Sequence, residues 1–189
     1  ASPAQLTRKA QELLDQKPLG LILDVRNNPG GLLSSAVHAS SQFLPSGIVL
    51  LEHHRDGEVQ EFKVESGGVA TEIPMVALVN GGSASASEIV AGALQDAGRA
   101  ILIGEKTFGK GTVQTINRLS DGSIVRLTIA RWSTPLNRII EKNGLEPDIV
   151  VELTDDDRTS DRDPQLERAK QHLRSAAAVE ADGATPSPV

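Results

Sequence analysis

The chain has 189 residues, 39% hydrophobic and only 2% aromatic, with a net charge of −6. That length makes one domain with a real core, and the acidic balance without any Lys/Arg cluster excludes a nucleic-acid-binding surface. There is no Cys, which excludes disulfides, a thiolate nucleophile and a Cys-ligated metal, and no apolar run approaches the ~20 residues that span a bilayer.

In chain order, Ser2-Pro3-Ala4-Gln5 reads as a capping box with Pro at the first helical position. The helix it opens sets Leu6, Ala10, Leu13 and Leu14 on one face; the start, ASPAQLTRKA, lacks a signal peptide's apolar stretch. LGLILDVR (19–26) is a nearly continuous apolar run, the pattern of a strand covered on both faces. NNPGG (27–31) is a tight turn, and LLSSAVHASSQFL returns as a helix with Leu33, Ala36, Val37, Ser40 and Phe43 inward. Asp56-Gly57 between IVLLEHHR and EVQEFKV is a strong hairpin signal. PMVALVN (74–80) predicts another buried strand, GGSAS the turn after it, and ASEIVAGALQDAG a helix of small residues. A second hairpin pairs VQTINRL with SIVRLTIARW across Ser120-Asp121-Gly122, and PDIVVEL is the last strand. TDDDRTSDRD is expected to be an acidic linker, with Pro164 opening a final helix that bears Leu166, Ala169 and Leu173. The expected folded unit is residues 1–174, and 175–189 has too little to bury and is expected to be disordered. Strands alternating with helices predict an α/β fold with inserted hairpins and no internal repeat.

Two segments carry chemistry. GEKTFGKG (104–111) opens like a phosphate loop, but that motif needs Ser or Thr after its lysine and a helix to follow, whereas Gly111 and a strand come next. A nucleotide-binding reading fails on both counts. The unit VALVN-GGSAS-ASEIV places serines at a helix N-terminus, where backbone N–H groups and the helix dipole stabilise an anion. It nearly matches the nucleophile elbow GxSxG. It equally fits a capping box from Ser85 to Glu88, and pattern alone does not choose among Ser83, Ser85 and Ser87. A nucleophilic serine needs a base, and none of His38, His53, His54 and His172 has a motif around it or a metal-ligand spacing. Lys110 remains. A free lysine with pKa ~10.4 is almost wholly protonated at neutral pH; burial against apolar walls lowers that value, and Phe108 with the flanking strands are the expected walls.

Taken together, DVRNNPGGLL, NGGSASASEIVAGALQD, GEKTFGKGTVQ and NGLEPDIVV, in this order over about residues 18–153, resemble the C-terminal processing peptidases. These tail-specific proteases are serine endopeptidases with a Ser–Lys dyad. The resemblance implies an α/β core of crotonase/ClpP-like type, built from ββα units. It places the nucleophile on Ser85, the general base on Lys110, and on Gln114 a side chain that orients the amine. In a strand, even spacing would put Gln114 on the same face as Lys110. The oxyanion hole falls on the N–H of Ala86 with a glycine N–H, Gly30 or Gly31, and Asp96 matches an accessory acidic position of some members or is a helix-end surface residue. It implies protein substrates cut near their C-termini, no cofactor or metal, and an extracytoplasmic setting (periplasm, cell envelope or thylakoid lumen). Members normally carry a PDZ domain and a further strand before the first helix, so the expectation is a protease core whose partner is the PDZ domain of a parent chain, with an oligomer left open. The other reading is a catalytically silent relative that binds a peptide or apolar ligand; the presence of both Ser85 and Lys110 favours the enzyme.

Overall fold

The computed structural model describes residues 3–182; Ser2 of the expected capping box lies outside them. The elements in order are α1 (Pro3–Leu14), β1 (Leu21–Asp24), α2 (Leu33–Ser41), β2 (Ile48–His54), β3 (Val59–Lys63), β4 (Met75–Val79), α3 (Ala86–Asp96), β5 (Ile101–Gly104), β6 (Thr112–Arg118), β7 (Ile124–Ser133), β8 (Ile149–Val150), α4 (Asp155–Thr159) and α5 (Pro164–Asp182). They form a parallel sheet of order β1-β4-β5-β8 and an antiparallel sheet of order β3-β2-β7-β6. The α/β class and both inserted hairpins are as the sequence predicts. Among the described residues no helix is long and apolar enough to cross a membrane.

The parallel sheet is built around β4, whose five residues are all buried. Alternation sends Met75, Ala77 and Val79 into the main core with α2 and α3, while Val76 and Leu78 meet Ile103, Ala169 and Leu173 under α5. Each fully buried Val or Leu contributes about 1.5–3 kcal/mol, so this strand anchors both layers. The turns that leave the ends of β1 and β4 are therefore fixed from below.

Four expectations need correction. LGLILDVR gives a strand of only four residues, and at the edge of the sheet: β1 is covered on both faces, with Leu21 and Leu23 against the main core and Ile22 under α5, but Ile22 and Leu23 are only half-buried and Asp24 is exposed. Composition cannot distinguish an apolar edge from an interior strand. Leu13 is 48% exposed, because α1 packs through the narrower stripe of Leu6, Ala10 and Leu14. The acidic linker contains the short helix α4, opened by a capping box in which Thr154 and Asp157 exchange hydrogen bonds. Finally, α5 continues past residue 174 to Asp182, where Ala176-Ala177-Ala178 supplies strong helix formers; residues 183–189 lie outside the described residues.

Arg26, at the end of β1, clamps the start of α5. Its guanidinium makes a bidentate pair with Asp163, 2.8 and 2.9 Å, and reaches Asp24 at 2.7 Å. The hydrogen bond from Arg26 holds the Asp163 carboxyl below its usual range. The folded protein then binds that proton less readily than the unfolded chain. The stabilisation is complete above the unfolded pKa of about 3.9 and is lost as pH falls through the folded value. Asp163→Asn is expected to lower stability at pH 7 by about 1 kcal/mol, a modest figure because the carboxylate is partly solvated. Urea midpoints of both proteins should converge as pH falls below about 4; a gap as wide in acid as at pH 7 would rule out this pair as its source.

Candidate active site

Two turns leave neighbouring parallel strands, β1 and β4, and are stitched together. Asn80 Oδ1 accepts the N–H groups of Asn27 (2.8 Å) and Gly82 (3.0 Å), and Asn80 Nδ2 donates to Asn27 Oδ1 at 3.0 Å. The Ala84 N–H donates to the Asn28 carbonyl at 3.0 Å. Ser83, fully buried, donates its hydroxyl to the Val25 carbonyl at 2.8 Å and accepts the Asn80 N–H at 3.1 Å. Its oxygen is thereby committed to holding the turns, and Ser87 is 4% exposed.

Ser85 differs from both. It caps α3 with φ 56° and ψ −119°, a conformation that a non-glycine residue adopts at a cost of order 1–3 kcal/mol. An ordinary N-cap has extended backbone and turns its side chain onto the helix. Here Ser85 and Glu88 take up the capping-box arrangement, with the Glu88 carboxylate accepting the Ser85 N–H at 2.9 Å. Ser85 borders a pocket of about 440 Å³, which it lines together with Gly31, Ala86, Lys110 and Gln114. Leu32, Leu33, Ile89 and Ile116 give that pocket an apolar wall. Ala86 is the first residue of α3, so its N–H has no acceptor within the helix. Of the two candidate glycines, Gly30 already donates its N–H to Asn28 Oδ1 at 3.0 Å, whereas Gly31 lines the pocket.

The loop carrying Lys110 crosses to this site from the end of β5. Three consecutive N–H groups bind carboxylates: Gly109 to Glu88 Oε1 at 2.7 Å, Lys110 to Glu88 Oε2 at 2.9 Å, and Gly111 to Glu141 Oε2 at 2.8 Å. The Gly111 carbonyl accepts the Trp132 N–H at 2.9 Å. A side chain at Gly111 would collide with the Glu141 backbone, which explains the glycine after the lysine. Among the described residues no hydrogen bond joins the Ser85 hydroxyl to the Lys110 amine; the bonds that fix both residues run through their backbones. Phe108 is not the expected apolar wall: it is 66% exposed and Lys110 itself is exposed, although Ile116 of the flanking strand β6 lines the same pocket. The Phe108 N–H is tied to the Ser83 carbonyl at 3.0 Å, which leaves its ring outside the core.

Gln114 is exposed and lines the same pocket as Lys110, but not by simple alternation. Lys110 precedes β6, and a bulge falls between Val113 and Gln114. Asp96 does not come to the pocket. It ends α3, about 16 Å along the axis from Ser85, where it accepts the Leu136 N–H at 2.7 Å and pairs with Arg138. Sequence reading missed the wider role of Glu88. Its spacing to Ser85 signals a cap, but nothing local shows that residues 107–110 bind the same carboxylate.

Residues 1–151 match the sequence profile of Peptidase family S41. A carboxyl-terminal-processing protease of Synechocystis sp. is 42% identical over 178 residues, covering 93% of this chain and 42% of the relative. A chloroplastic C-terminal processing peptidase of Tetradesmus obliquus is 42% identical over 141 residues, 75% of this chain and 30% of the relative. The chain thus spans less than half the length of either. The solved structure of a photosystem II D1 C-terminal processing protease superposes with a TM-score of 0.75 at 40% identity, over 79% of this chain and 39% of that one. With most of its length inside the family profile, the chain belongs to peptidase family S41, among carboxyl-terminal-processing serine proteases.

Proposed function

We propose that the protein carrying this chain is a serine endopeptidase that cuts protein substrates near their C-termini through Ser85 and Lys110. The observation that carries this reading is the strained Ser85, lining one pocket with Lys110 and Gln114. Neutral Lys110 takes the Ser85 hydroxyl proton as Oγ attacks the substrate carbonyl carbon. The N–H groups of Ala86 and Gly31 hold the tetrahedral oxyanion. Protonated Lys110 then gives its proton to the leaving amine, and the C–N bond breaks to an acyl-enzyme. Water enters and attacks the acyl carbon as Lys110 takes its proton; the ester C–Oγ bond then breaks, Lys110 returns the proton to Ser85 Oγ, and the carboxylic product leaves. Gln114 orients the amine, and the apolar wall of the pocket receives a substrate side chain. Asp96 acts structurally, through Arg138 and the Leu136 N–H.

Because Lys110 stands in solvent, it must be covered before it works as a base; substrate, or the remainder of the parent chain such as a PDZ domain, would do so. The setting is extracytoplasmic, periplasm or thylakoid lumen, in keeping with the named relatives. The test is to incubate the full-length protein with a fluorophosphonate and with an unstructured peptide bearing a free C-terminal carboxylate. Mass spectrometry is expected to place the adduct on Ser85 and the cleavage near the C-terminus, with a C-terminally amidated peptide cut more slowly. An adduct on another residue would overturn the assignment of the nucleophile. Binding of the peptide without any adduct or cleavage would favour the silent relative.

A further inference from the structure

Glu88 is fully buried, yet among the described residues no cation pairs with it; its two oxygens accept four hydrogen bonds, one from the serine turn and three from the loop of residues 107–110. Oε1 takes the Thr107 hydroxyl at 2.6 Å and the Gly109 N–H at 2.7 Å. Oε2 takes the Ser85 N–H and the Lys110 N–H, each at 2.9 Å. Four donors satisfy a carboxylate fully, and its place in the first turn of α3 adds the favourable end of the helix dipole. A buried charge is tolerable only when satisfied in this way. The Thr107 hydroxyl in turn accepts the Leu145 N–H at 2.7 Å, so its one proton is directed at Glu88.

We infer that Glu88 is the positioning residue that sets the separation of Ser85 from Lys110, an inference that rests on the reading of those two residues given above. Two bonds of 2.9 Å to one oxygen keep the backbone nitrogens of Ser85 and Lys110 within about 5.8 Å of each other. A helix cap needs only the bond to Ser85. The extra bonds to Gly109, Lys110 and Thr107 reach 19 to 22 residues along the chain, onto the loop whose lysine must meet the serine. The carboxylate takes no proton from the Ser85 hydroxyl in this role. It acts by holding two backbones on one atom, so that the long Lys110 side chain starts from a fixed point.

The test uses the full-length protein and two readouts: peptide turnover, and the rate at which a fluorophosphonate labels Ser85. In labelling, the Ser85 Oγ–P bond forms, the P–F bond breaks with loss of fluoride, and the serine proton passes to Lys110. Glu88→Gln keeps the shape but replaces an acceptor by a donor, so two of the four bonds are lost. It is expected to lower kcat and the labelling rate about 10-fold or more while KM stays within about twofold. Thr107→Val should do likewise through the loss of its hydroxyl, and Thr107→Ser should restore wild-type rates. A merely structural Glu88 would lower the melting temperature and leave kcat per labelled site unchanged. Wild-type kcat and labelling in folded Glu88→Gln and Thr107→Val would overturn the inference while leaving Ser85 as nucleophile. If Glu88→Gln does not fold, the Thr107→Val and Thr107→Ser pair decides. A wild-type protein that never labels at Ser85 would remove the dyad reading itself, and this inference with it.

Discussion

Lys110→Arg is expected to lose peptide cleavage by about 10⁴-fold or more, as completely as Ser85→Ala, although the positive charge is kept. The reason is chemical. A lysine amine can give up its proton and take it back, whereas a guanidinium stays protonated at every usable pH. The fold should survive both changes, because Ser85 and Lys110 are held by backbone N–H groups that any side chain leaves in place. Assay of each variant on an unstructured peptide, with circular dichroism to confirm folding, checks the expectation. A lysine that only attracts a negative group would be partly replaced by arginine. Activity within a few-fold of wild type in Lys110→Arg would therefore remove the base from the mechanism, and persistent cleavage in Ser85→Ala would remove the nucleophile.

Gly30→Ala should be nearly as damaging, by a different route. Gly30 has φ +95°, and a Cβ there would sit 2.6 Å from the Ala84 carbonyl oxygen, 2.7 Å from the Ala86 nitrogen and 2.9 Å from Ser85 Cβ. Two of those atoms belong to the main chain of the serine turn and cannot rotate aside. The added methyl must push that turn away from the β1 turn, carrying Ser85 and the Ala86 N–H with it. Displacement of a reacting group by about 1 Å is enough to lower turnover about 100-fold. The positive φ adds strain of roughly 1–3 kcal/mol, a fall in melting temperature of several degrees for a domain of this size. Turnover within threefold of wild type would mean that the two turns are less rigidly matched than their contacts indicate.

Much of this architecture is legible in the residues, and the gaps have identifiable causes. MVALV reads as an interior strand because every residue is apolar and β-compatible, and β4 is interior. Asp56-Gly57 marks a hairpin because glycine permits the turn, and Gly57 has φ +93°. The similar run LGLILD misleads, since burial of an edge depends on what lies beside it and not on its own composition. Ser85 could be singled out only by the resemblance; in the structure its positive φ and its place on the pocket set it apart from Ser83 and Ser87. The exposure of Lys110 was hidden for a non-local reason. The loop around Phe108 is pinned by Ser83, Glu88 and Glu141, partners 20 to 33 residues away from that phenylalanine, and no window of sequence records them.

The bare position of Lys110 has a consequence for how such a protein lives among other proteins. An amine on an exposed side chain has no fixed place relative to Ser85 until something packs against it, so on the proposed mechanism the resting chain is an unarmed protease. Where substrate is what covers the lysine, bystanders are spared less by being kept from Ser85 than by failing to pack against the lysine beside it. Recognition and ignition become one event, and preference among substrates would be expressed in how fast a bound chain is cut, more than in how tightly it is held.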